Sequence, residues 1–197
     1  MAPEIRAFEY SLGLFAVLIG LAVADIANSF HRLMRSRTPV QWDALPLLAA
    51  LYALCMAVGM WFDLWGVRHF AETRHFFFYL WMIAAMFVLF LIAAAALPDE
   101  LGARCDLSGY YASTRRYFWT LVALFQLMYL ILGLYFIGLP ALMHMQGIMV
   151  LMLLNNMVLP VILAVWLSRT VSRPLHYLGV ALLLASLALH YGPYQIN

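Results

Sequence analysis

Long apolar runs separated by short polar connections occur six times along the chain. Each run is close to the length of about 20 residues that an α-helix needs to cross a bilayer. The pattern predicts six membrane-spanning helices, at residues 8–33, 43–66, 76–97, 117–139, 141–167 and 175–191. We therefore expect an all-α, polytopic membrane protein: a six-helix bundle forming one transmembrane domain over residues 1–197, with a cytosolic loop at residues 98–114.

A pair of carboxamides, Asn155 and Asn156, interrupts the fifth apolar run, and Pro160 follows four residues after the second. Because proline has no N–H, the carbonyl of Asn156 would lose its donor in an α-helix, and the helix should kink. Lipid offers no hydrogen bonds, so these groups need partners from protein or water. The tight turn before the fifth span makes the fourth span its antiparallel neighbour, which predicts Gln126 and Tyr129 as those partners.

The first span combines a stripe of small residues with an adjacent polar face. The stripe consists of Gly13, Ala16, Gly20, Ala24 and Ala27, with Glu9 one turn before it. Asp25, Asn28 and Arg32 form the polar face at helical spacing. An ionised aspartate at the centre of a span costs about 2.5–3.5 kcal/mol, and an arginine such as Arg32 can offset part of that cost. Two interpretations stay open: an anchoring ion pair, or a cation or proton site facing a cavity.

Composition supports the membrane class independently of the pattern. Of the 197 residues, 66% are hydrophobic and only 10% are charged, against about 25% charged in soluble domains. No soluble core of this length could bury so much apolar surface, and the net charge of +2 gives no indication of nucleic-acid binding. Cys55 lies in a predicted span and Cys105 in the predicted loop, so we expect no disulfide and an exposed Cys105 thiol.

All eleven basic residues are arginine. The absence of lysine excludes a retinal or pyridoxal Schiff base and a P-loop. Eight arginines fall in the first, third and fifth connections and three on the opposite side. The positive-inside rule then predicts that both termini lie on the non-cytoplasmic side. We expect the protein in a plasma membrane, the bacterial inner membrane.

Motifs of hydrolytic enzymes are absent, and the pair Ser186 and His190 lacks a third, orienting group. A non-enzymatic role is therefore favoured, and we expect no metal site. Histidines near the outer ends of the fifth and sixth spans, His144 and His190, leave haem ligation by two imidazoles as an alternative. No other cofactor is indicated.

The remaining polar groups would form a line through the bundle if the first, fourth and fifth spans pack together. The members of this line are Glu9, Gln126, Asn155, Asn156 and Asp25. Such a line predicts a channel or transporter for an ion or small solute. Alternatives are a structural hydrogen-bond cluster in an accessory subunit of a larger membrane complex, or a haem- or quinone-binding redox protein. In each case we expect the bilayer as partner and assembly into a homo-oligomer or complex.

Overall fold

The computed structural model describes the backbone of residues 3–67, 75–100, 104–138 and 143–192. Within these ranges it describes the side chains from residue 12 onward, except residues 67 and 148. The spans and their connections are formed by α1 (Pro3–Met34), β1 (Val40–Gln41), α2 (Ala44–Val67), α3 (Phe76–Ala96), β2 (Cys105–Asp106), α4 (Leu107–Ile137), α5 (Ile148–Leu153), α6 (Leu159–Arg169) and α7 (Arg173–Tyr191). The described residues contain six helical segments long and apolar enough to cross a membrane, α5 and α6 together forming the fifth. The all-α class and the presence of six helices long and apolar enough to span a membrane are therefore confirmed.

Two helix boundaries differ from the sequence prediction. Helix α4 begins at Leu107, so the second half of the loop predicted at residues 98–114 is helical. The reason is tertiary packing, because buried side chains recur on one face of this segment at helical spacing: Leu107, Tyr111, Phe118 and Val122. In the predicted fifth span, residues 143 and 144 are helical, residues 145–147 interrupt the helix, and α5 begins at Ile148, after Gly147 with a φ of 56°. Of the tight turn expected at Gly138-Leu139-Pro140, only Gly138 is described, with a φ of 73°, and the rest lies outside the described residues.

The chain divides into two compact units, residues 1–107 and 108–197. In the first unit, Phe15 of α1 stacks on Tyr79 near the start of α3, with ring centroids 6.0 Å apart. Ser29, near the end of α1, hydrogen-bonds Asp99 just beyond the end of α3. Helices α1 and α3 therefore run parallel, and α2 packs against both. Small buried residues on α2 allow this close approach: Ala49, Ala50, Ala53 and Ala57.

A short parallel ladder joins two connections of the first unit. Val40 in β1 lies opposite Cys105 in β2, and the Cys105 N–H donates to the carbonyl of Pro39 at 3.3 Å. Cys105 is buried, which corrects the expectation of an exposed thiol. Burial, together with the neighbouring charge of Asp106, raises the pKa of this thiol above its ordinary value. Because the thiolate is the reactive form, the ladder leaves Cys105 with little reactivity at neutral pH.

In the second unit, glycines set how closely the helices approach. A Cβ on Gly179 of α7 would lie 2.7 Å from Cδ2 of Leu167 on α6, so only glycine fits there without displacing a fully buried leucine. A Cβ on Gly133 of α4 would overlap the thioether of Met157, which lies between α5 and α6. The two glycines thus bring α4, the interrupted fifth span and α7 together.

We predict that Gly179→Val lowers the free energy of unfolding by about 1–3 kcal/mol, because the added methyl groups overpack the contact with Leu167. Thermal unfolding of the purified protein in detergent measures the loss. Ala185→Val is the matched control, since Ala185 is an exposed small residue on the same helix. Its effect should stay within about 0.5 kcal/mol. Equal losses at the two positions would contradict the close contact.

Candidate functional site

The fifth span is not a continuous α-helix. Residues Leu154–Val158 form a π-helical turn between α5 and α6, and the N–H of Leu159 donates to the carbonyl of Leu154, five residues back instead of four. Well under 1% of the residues in globular proteins lie in π-helices, and single π-turns within α-helices occur frequently at functional sites. The turn contains both asparagines, so the disturbance expected at Pro160 takes the form of a change in helical register.

This change in register decides which carbonyl loses its backbone donor. Four residues before Pro160 is Asn156, but five residues before it is Asn155, so the π-turn transfers the loss to the Asn155 carbonyl. The buried hydroxyl of Ser186 on α7 donates to this oxygen at 3.0 Å. The expectation that Asn156 carries the freed carbonyl is therefore corrected. The α-helical spacing on which that expectation depended does not hold in this turn.

The carboxamides of Asn155 and Asn156 are half-buried and hydrogen-bond each other. Nδ2 of Asn155 donates to Oδ1 of Asn156 at 2.8 Å. Within the described residues, Oδ1 of Asn155 and Nδ2 of Asn156 form no hydrogen bond. An open acceptor and an open donor inside a span have no partner in lipid. These two atoms are therefore available to water or to a polar solute.

Helix α4 meets the π-turn through a glycine and not through the predicted polar side chains. Gly133 leaves the space that Met157 occupies. Gln126 is buried and has contacts of its own, and Tyr129 stacks on Phe125 with ring centroids 5.4 Å apart. Within the described residues, neither side chain hydrogen-bonds the asparagine pair. The cluster of four polar side chains expected here is thus reduced to the asparagines, with Ser186 as a partner that the sequence did not indicate.

On the first span, Arg32 pairs with Asp99 and not with Asp25. Nη2 of Arg32 lies 2.6 Å from Oδ1 of Asp99. The hydroxyl of Ser29 accepts from Arg32 at 2.9 Å and donates to Asp99 at 3.1 Å. Oδ2 of Asp25 is buried and, within the described residues, has no hydrogen-bond partner. An open carboxylate oxygen inside a span is a candidate binding group, because a charge there is costly unless something pairs with it.

Of the other polar candidates of the first span, Asn28 and Glu9, the structure describes only the side chain of Asn28. Asn28 is exposed, and the side chain of Glu9 lies outside the described residues. The small-residue stripe is also largely exposed: among the described residues, nothing lies within 4 Å of the Cβ position of Gly13 or Gly20. Ala24 and Ala27 continue the exposed stripe toward the end of α1.

The sequence did not reveal a buried network between α4 and α7. Trp119 Nε1 donates to the Tyr111 hydroxyl at 3.0 Å, and this hydroxyl lies 2.7 Å from Nδ1 of His176. The other ring nitrogen, Nε2, lies 3.0 Å from the carbonyl of Thr170, which can only accept. In the neutral imidazole the proton is therefore on Nε2, and Tyr111 donates to Nδ1. Tyr111 and Trp119 are eight residues apart, a helical spacing that is meaningful only once residues 107–116 are assigned to a helix.

Both ring nitrogens of His176 are occupied by this network, so His176 is not free to bind haem. The histidines of the haem hypothesis are elsewhere: His144 is exposed, and His190 contacts the ring of Tyr191 with centroids 4.5 Å apart. In the described part of the chain, no three histidine, cysteine or acidic side chains form a group suited to a metal ion. Haem ligation by His144 and His190 stays a prediction.

Six apolar helices and polar groups confined to a few points define a multi-pass integral membrane protein. No protein-family model, curated protein or solved structure matches the chain significantly. The function is accordingly inferred from the chemistry of polar atoms left open among the described residues, at Asn155–Asn156 and at Asp25.

Removing the Ser186 hydroxyl should destabilise the protein by about 1–3 kcal/mol, because the Asn155 carbonyl would then lie inside the span without a donor. Pro160→Ala restores a backbone N–H at position 160. In that background we expect Ser186→Ala to cost less, with a coupling energy of about 0.5–3 kcal/mol in the double-mutant cycle. Unfolding in detergent of the wild type, both single variants and the double variant measures this coupling. Strictly additive losses would show that Ser186 does not replace the missing donor.

Tyr111→Phe should lower the free energy of unfolding by about 1–3 kcal/mol, since it leaves Trp119 Nε1 and His176 Nδ1 without their shared partner. Tyr117→Phe is the matched control, because Tyr117 is an exposed tyrosine on the same helix. The control should change stability by no more than about 0.5 kcal/mol. Thermal unfolding followed by tryptophan fluorescence tests both variants, and a Tyr111→Phe protein as stable as the control would contradict the network.

Proposed function

We propose that this protein is a channel or transporter that passes an ion or a small polar solute across the membrane. The observation that carries the proposal is the π-turn at Leu154–Val158, where two carboxamides present an open acceptor and an open donor inside a span. Interrupted helices are a common means by which transporters expose polar groups to a solute at membrane depth. In this proposal, Asn155 Oδ1 and Asn156 Nδ2 contact the solute directly.

The surroundings of the asparagine pair support a binding role over a purely structural one. Ser186 already donates a hydrogen bond to the backbone oxygen that lacks a donor because of Pro160. The two asparagine side chains are therefore not needed to complete the hydrogen bonding of the helix backbone. Their mutual hydrogen bond fixes both carboxamides in one orientation while one polar atom of each stays open. Preorganised polar groups of this kind bind a solute without a further cost of ordering.

Asp25 and Glu9 are proposed to set the charge preference of transport. The open Oδ2 of Asp25 supports a cation- or proton-binding role, because Arg32 is already paired with Asp99. We further propose, from the distribution of arginines, that both termini are non-cytoplasmic and that the membrane is the bacterial inner membrane.

The exposed stripe on α1 favours a second candidate function, that of an accessory subunit in a larger membrane assembly or homo-oligomer. Stripes of small residues let two helices approach closely, and this one has no atoms against Gly13 or Gly20 among the described residues. Purification from native membranes distinguishes the two candidates. A partner present in fixed stoichiometry, together with no flux by the isolated chain, would favour the subunit over the transporter.

Flux assays in proteoliposomes test the leading proposal. Protons, sodium, potassium and chloride are followed with fluorescent dyes, and urea and glycerol by light scattering. We expect Asn156→Leu to reduce flux of the transported species about tenfold, the equivalent of one desolvated hydrogen bond, and Asp25→Asn to alter ion preference. Gln146→Leu removes an exposed carboxamide outside the helices and should leave flux unchanged. Flux that is absent, or unchanged in both site variants, would reject this assignment.

A further inference from the structure

An open depression with a strong excess of positive charge lies beside the connection that follows α1. Its volume is about 560 Å³. Its walls carry the guanidinium groups of Arg32, Arg35 and Arg37 and the imidazole of His31, against the single carboxylate of Asp99. The asparagine pair does not line this depression, and the depression has no role in the proposed transport.

Two of the three guanidinium groups in the depression are uncommitted. Arg32 is occupied by Asp99 and Ser29. The side chains of Arg35 and Arg37 are exposed and, within the described residues, form no ion pair or hydrogen bond. Arginines this close in sequence repel each other unless an anion lies between them. The depression therefore has unused binding capacity for negative charge.

The backbone around these arginines is held in place before any ligand binds. Oγ of Ser36 accepts from the N–H of Thr38 at 3.1 Å and lies 2.7 Å from the Thr38 hydroxyl. Immediately after this turn, the carbonyl of Pro39 accepts from Cys105, where the β1–β2 ladder begins. The segment is thus fixed on both sides of Arg37. A fixed wall loses little conformational entropy on binding, which separates this site from a flexible basic tail.

We propose that this depression binds a phosphate group. The planar, forked guanidinium matches the oxygens of phosphate in pairs of hydrogen bonds, and two uncommitted arginines supply two such forks. The hydroxyls of Ser36 and Thr38, which also line the depression, provide further polar contacts. The volume falls within the range of about 300–1,000 Å³ that is usual for small-molecule sites, enough for a phosphate with an attached organic group.

The same phosphate chemistry has two sources at this position. The depression lies at the end of the α1 span, where lipid headgroups are found, and it is open to solvent. An anionic phospholipid could place its phosphate there from the bilayer, and inorganic phosphate or a phosphate ester could enter from water. The experiment has one arm for each source.

In the first arm, native mass spectrometry of the full-length protein measures retention of phosphatidylglycerol relative to phosphatidylcholine. In the second, isothermal titration calorimetry in detergent measures binding of inorganic phosphate. We expect Arg35→Gln with Arg37→Gln to weaken binding at least about tenfold, because hydrogen bonds to charged groups are the strong ones. The double lysine variant, which keeps the charge and loses the fork, should give an intermediate affinity. Arg169→Gln, an exposed arginine outside the depression, is the control and should bind like the wild type.

Binding in the lipid arm alone identifies a headgroup site, and binding in the phosphate arm identifies a site for soluble phosphate; both results support the proposal. Circular dichroism and gel filtration establish that each variant is folded before its affinity is compared. The proposal is overturned if the wild type shows no preference for the anionic lipid and binds no phosphate. Equal binding by the folded Arg35→Gln/Arg37→Gln protein and the wild type overturns it as well. Neither result depends on whether the protein transports a solute.

Discussion

A backbone carbonyl inside a bilayer must find its donor within the protein, because hydrocarbon provides none. Pro160 removes one donor from the fifth span, and the second unit is arranged around that loss. The π-turn transfers the missing bond from Asn156 to Asn155, and Ser186 on α7 supplies the replacement. Glycine at position 133 leaves room beside this turn for Met157. The same turn that solves the backbone problem presents two carboxamides with open polar atoms.

Polar side chains in this protein fall into two groups, according to whether their hydrogen bonds are complete. The network of Tyr111, Trp119 and His176 is saturated, and its effect is to hold the first turns of α4 against α7. Ser29, Arg32 and Asp99 likewise connect the ends of α1 and α3. The asparagine pair and Oδ2 of Asp25 are incomplete within the described residues, and they lie inside spans, where an open polar atom is costly. This contrast, more than any motif, supports a role in binding at these positions.

Sequence reasoning succeeded where a local pattern determines the outcome and failed where a distant residue does. Six apolar runs were sufficient for six helices, because the length and apolarity needed to cross a bilayer are properties of a contiguous segment. The start of α4 was predicted too late in the chain. Tyr111 belongs to this helix and contacts His176, which is 65 residues away and so does not appear in the local sequence pattern. Helical spacing offered Arg32 as one candidate partner of Asp25, whereas Arg32 pairs with Asp99, 67 residues away. Spacing within one helix cannot reveal a competing partner on another.

The sequence by itself determined that the protein is an all-helical, multi-pass membrane protein with six apolar helices of spanning length, and that Pro160 disturbs the fifth of them. These properties follow from hydrophobicity, length and the covalent structure of proline. The tertiary structure alone decided how that disturbance is resolved. The backbone hydrogen bonds at Leu154–Val158 join residues five apart instead of four, which leaves the Asn155 carbonyl without a backbone donor. The hydroxyl of Ser186, 31 residues away, donates to this oxygen instead. The physical reason is that proline lacks an N–H wherever it occurs, whereas the donor that replaces it depends on which neighbouring helix places a hydroxyl within hydrogen-bond distance.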